Sequence, residues 1–131
     1  MHSTKRIAVV FCLLTVPVLA HHATAVQYDV SSTITLNGTV TRLDWTNPHV
    51  RVYVEVKVAN GNSESWTVEF PSPGAIIVAG LSRKLLGPGT VLTLEAYPSK
   101  PSVDQAKVQR SACAKAITLA DGNRFAFVVG I

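Results

Sequence analysis

The residues in this 131-residue chain best suited to chemistry are three histidines in two motifs, "AHHA" at 20–23 and "TNPH" at 46–49. A polypeptide cut after Ala20 starts at His21, and a free N-terminal histidine chelates a metal through its α-amine and Nδ1 together. A further imidazole, from His22 or His49, completes a three-nitrogen set. Amine and imidazole nitrogens in a square or tetragonal arrangement favour Cu(II). His21, His22 and His49 are therefore the candidate metal ligands, and copper is the candidate cofactor.

Asp29 and Asp44 are the candidates for an oxygen ligand or for holding an imidazole N–H. "TNP" places a turn directly before His49, and only six residues separate His22 from Asp29, so a short tail can fold back onto the same rim. Three other readings stay open, the first being that His49 is an exposed strand residue bonded to Asn47 or a backbone carbonyl. Chain termini are commonly untethered, and cleavage after Ala25, which Ala23-Thr24-Ala25 also permits, removes both terminal histidines.

No catalytic set is legible. The eight acids are scattered over strands and loops, and Ser72 and Ser82 stand at helix starts, where capping is their ordinary role. Neither a glycine-flanked nucleophile nor a phosphate-cradling loop is present, since Gly87-Pro88-Gly89 lacks the following lysine. Binding, and no enzymatic activity, is expected.

Residues 1–20 have the layout of a secretory signal peptide: Lys5 and Arg6, an apolar run, then small residues before the cut. The run is shorter than the roughly 20 residues a spanning helix needs. A periplasmic or secreted chain of residues 21–131 is expected, with a tail at 21–32, one barrel domain and no stable membrane insertion after cleavage. Two of the twelve Lys and Arg leave with the leader, so ten face eight Asp and Glu. That mild charge gives no reason to expect nucleic acid as a partner. A metal ion or an envelope protein is expected instead, with the Arg51/Tyr53/Glu55/Lys57 face or the 98–110 loop as the alternative surface for a protein or glycan. Cys113 is the one cysteine left after cleavage, which rules out an internal disulfide. It shares parity with Ile117 and Leu119, so a buried thiol and a monomer are expected.

The elements that must position these residues are strands. Val50, Val52, Val54, Val56 and Val58 alternate with His49, Arg51, Tyr53, Glu55 and Lys57, a period of two that marks a half-buried strand. "ANGN" follows, where Asn60-Gly61 suits a two-residue turn with positive φ at both positions. "SESWTVEF" returns. The preceding segment, 33–45, slips in phase between Val40 and Leu43, which predicts a bent or bulged strand serving two sheets. Ser72, Pro73 and Gly80 bracket one short helix, apolar on most sides. Two further strands, at 90–97 and 111–120, flank the 98–110 loop, and an Asp121-Gly122 turn leads into a short closing strand. This order is that of an all-β chain with one short helix, an OB-fold-like barrel of five to six strands.

Several of these blocks, "AHHA", "LNGTVTRLDWTNPHVRVYV", "SPGAI", "LLGPGT", "AYPSK" and "ITLADGNRF", resemble an uncharacterised family of small exported bacterial proteins, a domain of unknown function. Its members typically begin the mature chain with two histidines and carry Trp-Thr-Asn-Pro-His, here Trp45 to His49. This chain departs from the pattern at Ala23, Thr24, Arg51, Gly74 and Ala120. The resemblance implies export and the barrel, and brings no activity with it.

Overall fold

The structure is a computed structural model that describes residues 23–101 and 110–129; the leader, His21, His22 and 102–109 of the predicted loop lie outside them. Its elements run α1 (Ala23–Gln27), β1 (Ile34–Asp44), β2 (Arg51–Lys57), β3 (Ser63–Glu69), α2 (Pro73–Val78), β4 (Val91–Pro98), β5 (Ser111–Leu119) and β6 (Arg124–Ala126).

The phase slip in β1 has a direct cause. Its register against β2 shifts between Val40 and Arg42, leaving Thr41 as the extra residue of a β-bulge. The strand pairs with β4 over Ile34–Thr39 and with β2 over Gly38–Asp44, so it belongs to both halves of the barrel. At the overlap sits Gly38. A Cβ there would lie 2.5 Å from Val54 Cγ1 and 2.6 Å from the Glu55 carbonyl oxygen, so no larger residue fits where the two sheets meet.

Strand order is β3-β2-β1-β4-β5-β6, and a parallel pairing of Thr67–Glu69 in β3 with Ser111–Cys113 in β5 closes the first five strands into a barrel. The alternating valines face inward as their parity requires: Val50, Val52, Val54 and Val56 are buried, with Val68, Phe70, Leu92, Leu94 and Ile117. Each such side chain contributes about 2 kcal/mol of burial, which is how a domain without a disulfide holds together. Phe70 and Phe127 meet edge to face, with ring centroids 5.3 Å apart.

The first hairpin turns differently from expectation, and the second turns at Asp121-Gly122 as expected, with the same loop type. Val58 N–H donates to Asn62 O and Gly61 N–H to Val58 O; Leu119 N–H donates to Asn123 O and Gly122 N–H to Leu119 O. These are three-residue loops ending in a left-handed glycine, Gly61 at φ 82 and Gly122 at φ 87. Only the glycine needs positive φ, because Asn60 and Asp121 stay right-handed and accept from the backbone N–H two residues on.

Ser72 caps α2 by accepting from Ala75 N–H at 3.3 Å, and Leu81 N–H to Ile76 O closes its other end. The helix is apolar on most sides as expected, but it buries only one of them. Ile76 is buried with Leu81 and Leu86 beneath it, whereas Ile77 and Val78 are exposed. The sequence reading also missed α1. Its five residues precede Tyr28, which is buried at 3 % exposure and bridges to Ser99. Asp29 N–H donates to Pro98 O, Lys100 N–H to Gln27 O, and the Lys100 ammonium to Ala25 O. The tail is thereby tied to the end of β4.

Candidate functional site

The hairpin register sets the site. Arg51 pairs with Glu69 across β2 and β3, and Phe70 N–H and Val50 N–H continue the ladder beyond it. His49, two residues before Arg51 and of the same parity, is therefore the diagonal neighbour of Glu69 on the outer face. The side chains meet: His49 Nδ1 lies 3.0 Å from Glu69 Oε1. A carboxylate in that position fixes the ring and leaves Nε2 as the nitrogen for an external ligand. His49 is half exposed and Glu69 more enclosed. The Asn47–Pro48 peptide in the preceding turn is cis.

His49 and Glu69 stand in the wall of a cleft of about 270 Å3 at the barrel rim, with Thr24 of α1, Pro48, Phe70 and Val128 in the same lining. Ala23, the first described residue, immediately follows His22. The tail thus enters the structure at the cleft that holds His49.

Cys113 also borders this cleft, buried and without a disulfide. Burial, assisted by the Glu69 carboxylate, pushes its thiol up to about 11, so it is neither a thiolate nor a ready ligand. Burial likewise lifts the Tyr28 phenol well above its ordinary value, with Glu69 and Cys113 adding and Arg51 opposing. Tyr28 accepts from Gln27 Nε2 at 3.2 Å.

Of the candidate ligands, His49 is at the rim, and His21 and His22 lie outside the described residues. Neither candidate acid serves His49. Asp29 accepts from the N–H and hydroxyl of Ser31, bonds that draw its carboxyl below the usual range. Asp44 accepts from Arg42 and from the Tyr53 hydroxyl. Sequence spacing suggested these two, but strand register decides contact, and it selects Glu69. Pairing back from the Gly61 loop would have found it. Among the described residues no group of three or more His, Cys, Asp or Glu is arranged to hold a metal ion, so a complete site at His49 needs donors from outside the described residues. Trp45 and Trp66 pack against the core, and the Trp66 indole donates to Glu64. Among the described residues no helix is long and apolar enough to cross a membrane.

No curated protein matches this sequence. Among solved structures, the chain is similar to the mitochondrial single-stranded DNA-binding protein Rim1 of S. cerevisiae in its second crystal form, at 13% identity, covering 70% of this chain and 97% of that one, with a TM-score of 0.51. The first crystal form of Rim1 gives 15% identity over 68% of this chain and 95% of that one, with a TM-score of 0.43. At these identities the likeness shows the OB fold alone. It still corrects the exclusion of nucleic acid drawn from net charge: single-stranded DNA-binding proteins are built on this barrel, and a strand-binding groove depends on local charge and stacking, which a whole-chain total does not measure. The model of a family of unknown function, DUF6152, matches residues 9–107, and the chain belongs to that family.

Proposed function

We propose that this small β-barrel is an exported, non-catalytic metal-binding protein that takes Cu(II) at the rim, with His21, His22 and His49 supplying the nitrogens. In this reading residues 1–20 are removed as a signal peptide, and the new terminus lies in the periplasm or outside the cell. The observation that carries it is the shared cleft: Thr24 and His49 line the same cleft, and Glu69 holds Nδ1 of His49. From Ala23 back to His21 is two residues, a reach of about 7 Å of extended chain, before the imidazole adds its own length. That distance suits a terminus already anchored by Tyr28. The His21 amine with the three imidazoles is a nitrogen-rich set of the kind Cu(II) prefers.

The test is a Cu(II) titration of the protein beginning at His21, alongside His21→Ala and His49→Ala. Weaker binding in both variants is expected. Equal affinity in all three removes the proposal.

A further inference from the structure

A second cleft, of about 290 Å3, lies on the outer face of the barrel, and Glu69 stands in its wall as well as in that of the His49 cleft. Three elements and the tail build it. Gln27 and Tyr28 come from the tail, Arg51 and Tyr53 from β2, Thr67 and Glu69 from β3, and Ser111 opens β5.

Every side chain in this wall carries a polar atom. The hydroxyls of Thr67 and Ser111 and the amide of Gln27 each donate and accept, Arg51 only donates, and Glu69 only accepts. Arg51 and Glu69 are direct cross-strand partners, so the one guanidinium and the one carboxylate balance within the cleft. Tyr53 adds ring surface at a fixed position, whereas Tyr28, itself buried, adds a polar edge and no open ring face. Tyr53 is held by its hydroxyl bond to Asp44 at 3.1 Å and by the Arg42 guanidinium 4.6 Å over its ring; Tyr28 is buried and takes the Gln27 amide. Such walls complement a ligand without net charge that both donates and accepts around its edge and has apolar C–H faces to lie on a ring. A sugar ring has this surface. The volume lies near the bottom of the range for small-molecule pockets, roughly 300 Å3 and upward, enough for one ring.

We propose that this cleft binds one neutral pyranose unit of a glycan, independently of any metal at the rim. A phosphodiester strand is less well served, because such a ligand is tracked by a run of cations and Arg51 is the one cation among the described residues of this wall.

The test is amide NMR of the exported protein, kept in chelator so that metal binding plays no part. Maltotetraose, cellotetraose and tetra-N-acetylchitotetraose are titrated separately to about millimolar concentration, with oligo-dT in parallel. At least one sugar should give saturable shifts confined to residues 27–28, 51–53, 67–69 and 111. Thr67→Val, which keeps the shape and deletes one hydroxyl, should weaken that binding by about fivefold. Ser111→Ala repeats the test if the first variant disturbs the sheet. No saturable shift with any of the three sugars, oligo-dT shifting the same residues in their place, or unchanged affinity in the hydroxyl variants overturns the proposal.

Discussion

Glu69 Oε1 lies 3.0 Å from His49 Nδ1 across the mouth of the β2–β3 hairpin. The pair turns a surface histidine into one with a fixed ring and a defined free nitrogen. Glu69→Gln keeps the length and an acceptor oxygen while deleting the charge. Supporting partners of a metal-bound histidine are worth tenfold or more in affinity, so Cu(II) binding should weaken by about tenfold in this variant by competition titration. Unchanged affinity would place Glu69 outside the metal site.

Tyr28 is the anchor that holds the tail against β4. Removing a buried aromatic ring typically costs about 3 kcal/mol or more. Tyr28→Ala should lose roughly that in urea unfolding, and amides 24–29 should exchange faster than those of β2 and β3 in the same protein. Protection that falls uniformly across the barrel would show that the tail has no separate anchor.

Much of this architecture can be read from the residues. The Val50–Val58 alternation gives β2, the Val40/Leu43 slip gives the bulge, and Ser72-Pro73 gives the start of α2, because each is local chemistry recorded within a few positions. The tail is a different case. Ala23–Gln27 has no Ser, Thr, Asp or Asn directly before it in the sequence and no amphipathic period, and it is ordered by what Tyr28 reaches some seventy residues away. Glu69 was overlooked for a related reason: its contact with His49 depends on the loop closing the hairpin, and a two-residue turn in place of the observed three-residue one changes the register.

Gly38 is required by space at the crossing of the two sheets. Gly38→Ala forces Val54 and the Glu55 backbone to move, an overpacking that should cost about 2 kcal/mol. Gly74, whose Cβ would meet nothing within 4 Å, is the control: Gly74→Ala should leave the urea midpoint unchanged or raise it. Equal effects at the two positions would contradict the packing described for β1.

Cys113 and Tyr28 are acids whose neutral forms the fold favours, both raised above ordinary values of 9.0 and 10.0. Their contribution to stability is therefore complete below those values and is lost as pH rises toward the folded ones. The urea midpoint should fall between pH 9 and pH 11, and Cys113→Ala should flatten part of that fall. At neutral pH the native thiol should react with a disulfide reagent far more slowly than the unfolded chain. A fast native reaction would show the thiol to be accessible.

The central claim is that the amino terminus and His49 meet on one metal ion. Electron paramagnetic resonance of the Cu(II)-loaded protein beginning at His21 tests it most directly, through the nitrogen hyperfine pattern. That pattern should lose one imidazole nitrogen in His49→Ala and change again when the chain starts at Val26. Identical spectra from the parent and His49→Ala would mean that the terminus binds copper without the barrel.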